Sequence, residues 1–196
     1  MATAAPALPA RAPASPLVVT MVVMLGTFMT VLDSTIANVA LPHMQPSLGA
    51  ASDTIAWVLT SYIVATAIAT PMTGWLAARM GRRELFLASV AAFTIASMAC
   101  GLAQTLGQMV VFRMLQGAAG AFLGPIGQSY VLDVWPQSKI GKAMAWWGVG
   151  VMVGPILGPV IGATLTEQFD WRWVFFINLP FGIMTFFLAA AVLPRV

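Results

Sequence analysis

The sequence predicts an all-α membrane protein built from six transmembrane helices. Composition is the first reason: 60% of the 196 residues are hydrophobic and 8% are charged, against roughly one-quarter charged in a soluble domain, and the mean hydropathy is +0.90. The second is length. Apolar runs of about 20 residues, enough to cross a hydrocarbon core, cover 17–41, 55–77, 84–103, 108–132, 142–164 and 174–193. The third is charge placement. Arg11 precedes the first run, Arg79, Arg82 and Arg83 lie between the second and third, Lys139 and Lys142 join the fourth to the fifth, and Arg195 follows the sixth. All of these fall on one side, which the positive-inside rule makes cytoplasmic. The other side carries Asp53, Glu167 and Asp170 against Arg172 alone, so both termini are expected in the cytoplasm. Membrane strands are shorter, about 9 to 11 residues, and alternate in polarity, so the runs are helices.

Residues 1–16 are rich in Ala and Pro and are expected to form a disordered cytoplasmic tail ahead of a transmembrane unit over 17–196. The first run exceeds the roughly 7 to 15 residues of a signal-peptide core, so it reads as an uncleaved span. It holds Asp33, Ser34, Thr35 and Asn38 before Pro42, which reads as a helix-ending proline. Thr30 and Ala37 share the face of Asp33, while Ser34 and Asn38 lie about 100° round the helix. Pro42, Pro46 and Gly49 then mark a turn, where His43 reads as a solvated loop residue. Across the end of the second run and after it come Gly74, Arg79, Gly81, Arg82 and Arg83, whose arginines suit topology and anionic lipid as well as a gate between conformations. The third run carries Cys100, the single cysteine, expected to pack as a small hydrophobe.

In the fourth run Arg113, Gln116, Gly117, Gly120 and Gly124 recur at spacings of three and four, giving one helix face with a charge, an amide and a smooth strip. The fifth places Gly150, Gly154, Gly158 and Gly162 at intervals of four, with Pro155 and Pro159 between them. Small residues at that interval bring membrane helices into close contact, and the prolines remove backbone donors; both a packing seam and a moving interface fit. Trp171, Arg172 and Trp173 precede the sixth run and suit the headgroup zone, with Asn178 and Pro180 following inside the membrane. Six spans divide into two sets of three, the arrangement of an inverted repeat.

Asp33 and Arg113 are the charges that lie deep in apolar runs. A lone ionised side chain near the bilayer centre costs about 2.5 to 3.5 kcal/mol, so each needs a partner, a cavity or a pathway. At about 1.5 Å per residue, Asp33 lies roughly 24 Å up an ascending helix and Arg113 roughly 8 Å down a descending one. In a core about 30 Å thick those depths nearly coincide. Burial favours a neutral carboxyl and a guanidinium favours a carboxylate, so a substrate disturbing the pair would change its hold on a proton. Proton-coupled exchange follows, with Asn38 and Gln116 as further candidates for the proton and substrate site. The sequence has no Walker-type loop, His-Glu-x-x-His or Gly-x-Ser-x-Gly, and one His with one Cys make no metal site. No enzyme, metal or cofactor is expected; a proton gradient is the energy source. The basic residues follow the loops rather than forming a patch, so lipid, not nucleic acid, is the expected partner.

Five segments together carry a resemblance. Residues 32–42, 74–83, 113–117, 150–162 and 171–182 are similar, in order and at the corresponding helices, to the motifs of the major facilitator superfamily, in its 14-span drug:proton antiporter branch, with Ala78 standing where the loop motif usually has an acid. The resemblance implies one half of a major facilitator fold, the amino-terminal one, with Asp33 in the substrate or proton site and Arg113 in proton coupling. It also implies that Gly74 to Arg83 and the fifth-helix Gly150, Gly154, Pro155, Gly158, Pro159 and Gly162 serve the conformational change. The implied whole is a multidrug exporter of the inner (plasma) membrane acting on amphipathic drugs by alternating access. A missing carboxy-terminal half and, in a Gram-negative cell, a periplasmic adaptor and outer-membrane channel are the implied partners. The alternative is a non-transporting membrane module, either a truncated product or an assembly partner, without gradient-dependent flux even beside a carboxy-terminal half.

Overall fold

The computed structural model describes residues 14–194. Among them all regular structure is helical. The expected tail over 1–16 falls largely outside the described residues, as do Arg11 and Arg195. Ser15 ends the approach to the first helix: its Oγ accepts a hydrogen bond from the Val18 N–H at 3.4 Å, and Pro16 follows at a position where no amide hydrogen is needed.

Helix α1 (Pro16–Ser47) is followed by α2 (Trp57–Ala69), a 3-10 turn over Thr70–Met72, and α3 (Thr73–Met80). Next come α4 (Arg82–Leu102), α5 (Leu106–Gly120) and α6 (Leu123–Val134), then a 3-10 turn at Gln137–Lys139, α7 (Ile140–Gln168), α8 (Trp173–Phe176) and α9 (Asn178–Val192). Among the described residues five stretches are long and apolar enough to cross a membrane: Pro16–Ser47, Arg82–Leu102, Leu106–Val134, Gln137–Gln168 and Trp173–Val192. The predicted run at 55–77 is helical over 57–80, but the 3-10 turn divides it into shorter α-helices.

Each interruption has a nearby proline: Pro71 inside the 3-10 turn, Pro125 just after the gap between α5 and α6, and Pro180 just after Ile177. A proline gives no hydrogen bond to the carbonyl four residues before it and crowds the preceding turn. Proline does not always prevail, however. Helix α1 runs through Pro42 and Pro46 to Ser47, correcting the reading of Pro42 as its end, and His43 is exposed on that helix rather than in a loop. Met44 and Leu48, beside these prolines, are buried, and that packing holds the end of the helix together. The turns themselves fall at Gly49 (φ 62°) and Gly81 (φ 89°), a backbone region that glycine enters without a Cβ clash. Hydroxyls inside the helices bond back to carbonyls, as Thr20 Oγ1 does to Pro16 O at 2.8 Å and Thr66 Oγ1 to Tyr62 O at 2.8 Å.

Two apolar clusters fill the bundle. One gathers Val19 and Val23 of α1, Phe86 of α4, Ile126 and Tyr130 of α6 and Ala189 of α9. The other gathers Ile36 and Met44 of α1, Val58, Cys100, Met109 and Phe175. Between the clusters lie buried polar residues: Asp33 on α1, Ser97 on α4, Arg113 and Gln116 on α5 and Asn178 on α9. The site is therefore a polar layer between two apolar ones.

The glycine run of α7 is a seam against α1. A methyl group on Gly154 would lie 2.8 Å from Val31 Cγ1 and 3.2 Å from Leu32 N, and one on Gly162 would lie 3.0 Å from Ile36 Cγ1. Gly154, Gly158 and Gly162 are buried there, whereas Pro155 and Pro159 face outward. At the same contact Thr35 Oγ1 reaches Gly154 O at 3.4 Å.

Candidate functional site: a buried charge and amide cluster

Helix α1 carries Asp33 inward because Ile36, Ala37 and Ala40 on the same side are fully buried, one stripe at helical spacing. Helix α5 brings Arg113 and Gln116, one turn apart, to the same point. Its start is set by Thr105, whose Oγ1 accepts from the Gln108 N–H at 3.2 Å. Arg113 Nη1 donates to Asp33 Oδ2 at 2.5 Å and to Gln116 Oε1 at 2.8 Å, while its Nε donates to the Val58 carbonyl at 3.1 Å. Gln116 Nε2 donates to Asp33 Oδ1 at 2.9 Å. Asp33, Arg113 and Gln116 are all 0% exposed.

Three further elements close the cluster. Asn178, at the start of α9, donates through Nδ2 to Asp33 Oδ1 at 2.9 Å and to Ser97 Oγ at 2.8 Å. Ser97, on α4, donates on to the Phe175 carbonyl at 2.8 Å. Tyr62 of α2 lies with its ring 4.2 Å from the Arg113 guanidinium carbon, a cation–π contact that desolvation strengthens to about 2 kcal/mol. Cys100, expected to pack as a plain hydrophobe, also points its Sγ at Gln116 Oε1 at 3.5 Å. Asp33 thus receives three donors and gives none, the pattern of an ionised, acceptor-only carboxylate. Burial of such a pair costs least when its geometry is good and its remaining hydrogen-bonding positions are met; here two positions stay open, Arg113 Nη2 and Asn178 Oδ1.

Of the residues the sequence nominates for proton and substrate, the structure brings Asp33, Arg113 and Gln116 together. Asn38 it does not: that side chain is exposed, and five residues on at helical spacing it lies about 140° round α1 from Asp33, farther than the expected 100°. Tyr62, Ser97 and Asn178 join the cluster without having been singled out for it. Asn178 carries a signal in its sequence, an amide inside an apolar run just before a proline, but the adjoining aromatics pull the reading toward the headgroup zone. Tyr62 and Ser97 carry none.

The residues nominated for gating sit apart from the cluster. Arg82 Nη1 pairs with Asp133 of α6 and its guanidinium lies 5.2 Å from the Tyr130 ring. Arg83 closes the end of α9, donating from Nη2 to Ala190 O at 2.6 Å and from Nε to Leu193 O at 3.1 Å. Arg79 and Gly74 are exposed, with Arg79 over the Trp75 ring at 5.5 Å. Gly81 makes the turn between α3 and α4, and Gly150 meets Met24 across the α1–α7 seam.

Two surface grooves flank α1. One of about 310 Å³ is lined by Thr30, Ser34, Tyr62, Thr66, Gly120 and Gly124 among others. Tyr62 is both a wall of this groove and the cover of Arg113. The other, about 280 Å³, is apolar and lined by Met21, Met24, Leu25, Phe28, Gly150 and Val153.

Known proteins are similar to this chain in sequence and in fold. The chain is 45% identical over 166 residues to the multidrug export protein EmrB of Escherichia coli (strain K12), covering 85% of this chain and 32% of that protein. It is 43% identical over 167 residues to EmrB of Haemophilus influenzae, covering 85% and 33%, and 45% identical over 167 residues to the fatty acid resistance protein FarB of Neisseria gonorrhoeae, covering 85% and 33%. The chain thus spans about a third of the length of these relatives and corresponds to their amino-terminal portion. The structure of the proton:xylose symporter XylE superposes with a TM-score of 0.81 at 16% identity, covering 92% of this chain and 45% of that one. The sequence model of the Major Facilitator Superfamily matches residues 23–196, and with the helical fold and the relatives in agreement, the chain belongs to that superfamily.

Proposed function

We propose that this chain is the amino-terminal half of a proton-coupled multidrug exporter, spanning the inner membrane six times as an inverted three-plus-three repeat with both termini cytoplasmic. The observation that carries this reading is the fully buried Asp33–Arg113 pair inside a shell of amides. A carboxylate held by a guanidinium in an apolar interior exchanges its charge only with a proton or a competing ligand. The second span is the helical stretch 57–80, which at about 1.5 Å per residue exceeds the roughly 30 Å of the hydrocarbon core.

The relatives' names, multidrug export for EmrB and fatty acid resistance for FarB, support export of drugs. The groove lined by Met21, Met24 and Phe28 supports amphipathic substrates, since methionine adapts to many apolar shapes. Exposed Trp146, Met152, Ile156 and Val160 leave one side of α7 apolar and uncovered, which suits lipid or a second half. Proton uptake at Asp33 would loosen its hold on Arg113 while substrate leaves a cleft between two halves, and each half would supply one wall. In a Gram-negative cell a periplasmic adaptor and an outer-membrane channel would complete the route.

The test is dye efflux from proteoliposomes under an imposed pH gradient, using this chain joined to its carboxy-terminal half. Gradient-driven efflux is expected, and Asp33→Asn is expected to abolish its gradient dependence. Unchanged pH-dependent efflux in that variant would remove Asp33 from the proton path. No flux from the joined halves would favour the non-transporting module, and flux from the 196-residue chain alone would overturn the half-transporter reading.

A further inference from the structure

The side chain of Asn178 is 1% exposed, and its Oδ1 makes no hydrogen bond. An amide oxygen can accept two, and a buried polar atom left unpaired costs about 1 to 3 kcal/mol. The amide nitrogen, by contrast, is fully used on Asp33 Oδ1 and Ser97 Oγ. This orientation follows from the charge of Asp33. A carboxylate accepts only, so an amide beside it must present N–H.

A protonated Asp33 reverses the requirement, because its O–H needs an acceptor. Of its three neighbours, the Arg113 guanidinium has no acceptor. Gln116 Oε1 already accepts from Arg113 Nη1 and faces Cys100 Sγ. Asn178 Oδ1 accepts nothing. A half-turn of the Asn178 amide would bring that oxygen onto Asp33 and carry Nδ2 into the place the oxygen leaves, where no partner stands, so the turn costs the amide its two N–H bonds and is driven by the O–H that needs an acceptor.

We propose that Asn178 is a positioning residue that registers the protonation of Asp33 by turning over its amide and passes that state through Ser97 to the break between α8 and α9. The proposal rests on the reading of Asp33 as the proton site. One proton adds to an Asp33 oxygen and no covalent bond breaks. The turned amide presents Oδ1 to both the new Asp33 O–H and Ser97. The Ser97 hydroxyl, which donates to the Phe175 carbonyl when Asp33 is ionised, swings to Asn178 Oδ1 and releases Phe175. That carbonyl lies in α8, two residues before the interruption at Ile177, where Pro180 has already removed a backbone donor. Loss of the proton reverses each movement.

The titratable or charged groups that face Asp33 are Arg113 on α5, Tyr62 on α2 and Cys100 on α4. Helix α7 packs along α1, but its charged residues, Lys142 and Glu167, are exposed near its two ends. On α6, Asp133 is engaged with Arg82. On α9 the group that faces Asp33 is Asn178 itself.

The sequence contains two asparagines, Asn38 and Asn178, which makes a direct test possible. The 196-residue chain, labelled with carbon-13 at the asparagine side-chain carbonyl and held in lipid nanodiscs, is titrated with acid and followed by infrared difference spectroscopy. The expected result is a shift of the labelled amide band with the same midpoint as the protonated-carboxyl component that Asp33→Asn removes, the chain's five other carboxylates being common to both spectra. Both changes should vanish in Asp33→Asn, and the amide shift should persist in Asn38→Gln and be lost in Asn178→Leu. Should Asn178→Leu fail to fold, the labelled wild type and Asp33→Asn still decide. An Asp33 carboxyl component that titrates over an unmoved amide band overturns the proposal and leaves Asp33 as the proton site. Absence of a titrating carboxyl component that Asp33→Asn removes overturns both.

Discussion

Replacing Arg113 by Met removes the guanidinium while keeping an unbranched side chain to fill part of its space. The structure sets the loss: the 2.5 Å bond to Asp33, the 2.8 Å bond to Gln116 Oε1, the 3.1 Å bond to the Val58 carbonyl and the contact with the Tyr62 ring. What remains is a carboxylate at 0% exposure held by two amides. Breaking a buried ion pair by removing one partner costs about 3 to 5 kcal/mol. Asp33→Asn should cost a similar amount by leaving the guanidinium uncompensated. The double variant removes both charges, so its cost should fall short of the sum by about 2 kcal/mol or more, toward the upper end of the roughly 0.5 to 3 kcal/mol found between contacting residues. The assay is detergent-driven unfolding in mixed micelles, followed by the fluorescence of the seven tryptophans. A second signature separates the single variants. An orphaned carboxylate can be neutralised by a proton, so the cost of Arg113→Met should shrink as the pH is lowered; a guanidinium cannot lose its proton in this range, so the cost of Asp33→Asn should not. Additivity of the two substitutions within about 0.5 kcal/mol would refute the coupling of this pair.

Three other outcomes are expected. Gly154→Val should destabilise the bundle by about 1 to 3 kcal/mol through overpacking, because a Cβ there already meets Val31 and the α1 backbone, whereas Gly124→Ala, with nothing within 4 Å, should stay near wild type; equal unfolding midpoints would remove the seam. Tyr62→Phe keeps the ring over Arg113 and should be nearly silent, while Tyr62→Ala should cost about 2 kcal/mol or more in the same unfolding assay. Arg82→Gln breaks a partly exposed pair with Asp133 and should change stability by no more than about 1 kcal/mol, so a larger loss of midpoint would show that this pair does more than join α4 to α6.

Lipid as solvent makes much of this chain legible from its residues. Where water is absent every backbone group must be satisfied within its own helix, so long apolar runs read directly as helices. Their positions at 84–103, 108–132, 142–164 and 174–193 lie within a few residues of the helices observed. The α7 glycines likewise declare a close contact, since spacing by four aligns them on one face. Their partner could not be read, because the face that receives them on α1 is an ordinary stripe of Val31, Thr35 and Ile36. The same gap separates Asp33 and Arg113 from their shell. An ionised residue in an apolar run signals that it must be compensated, but the compensating groups come from α2, α4, α5 and α9 at sequence separations of up to 145 residues, and the ring of Tyr62 and the hydroxyl of Ser97 look in sequence like any others. Asn38 shows the converse, a polar neighbour of Asp33 that helical rotation turns away. One-dimensional pattern therefore determined the helices and the need for a buried pair, because both follow from the cost of polarity in lipid. Only the packing of the helices decided which side chains meet that need, because a hydrogen bond depends on ångström distances between residues that the chain keeps far apart.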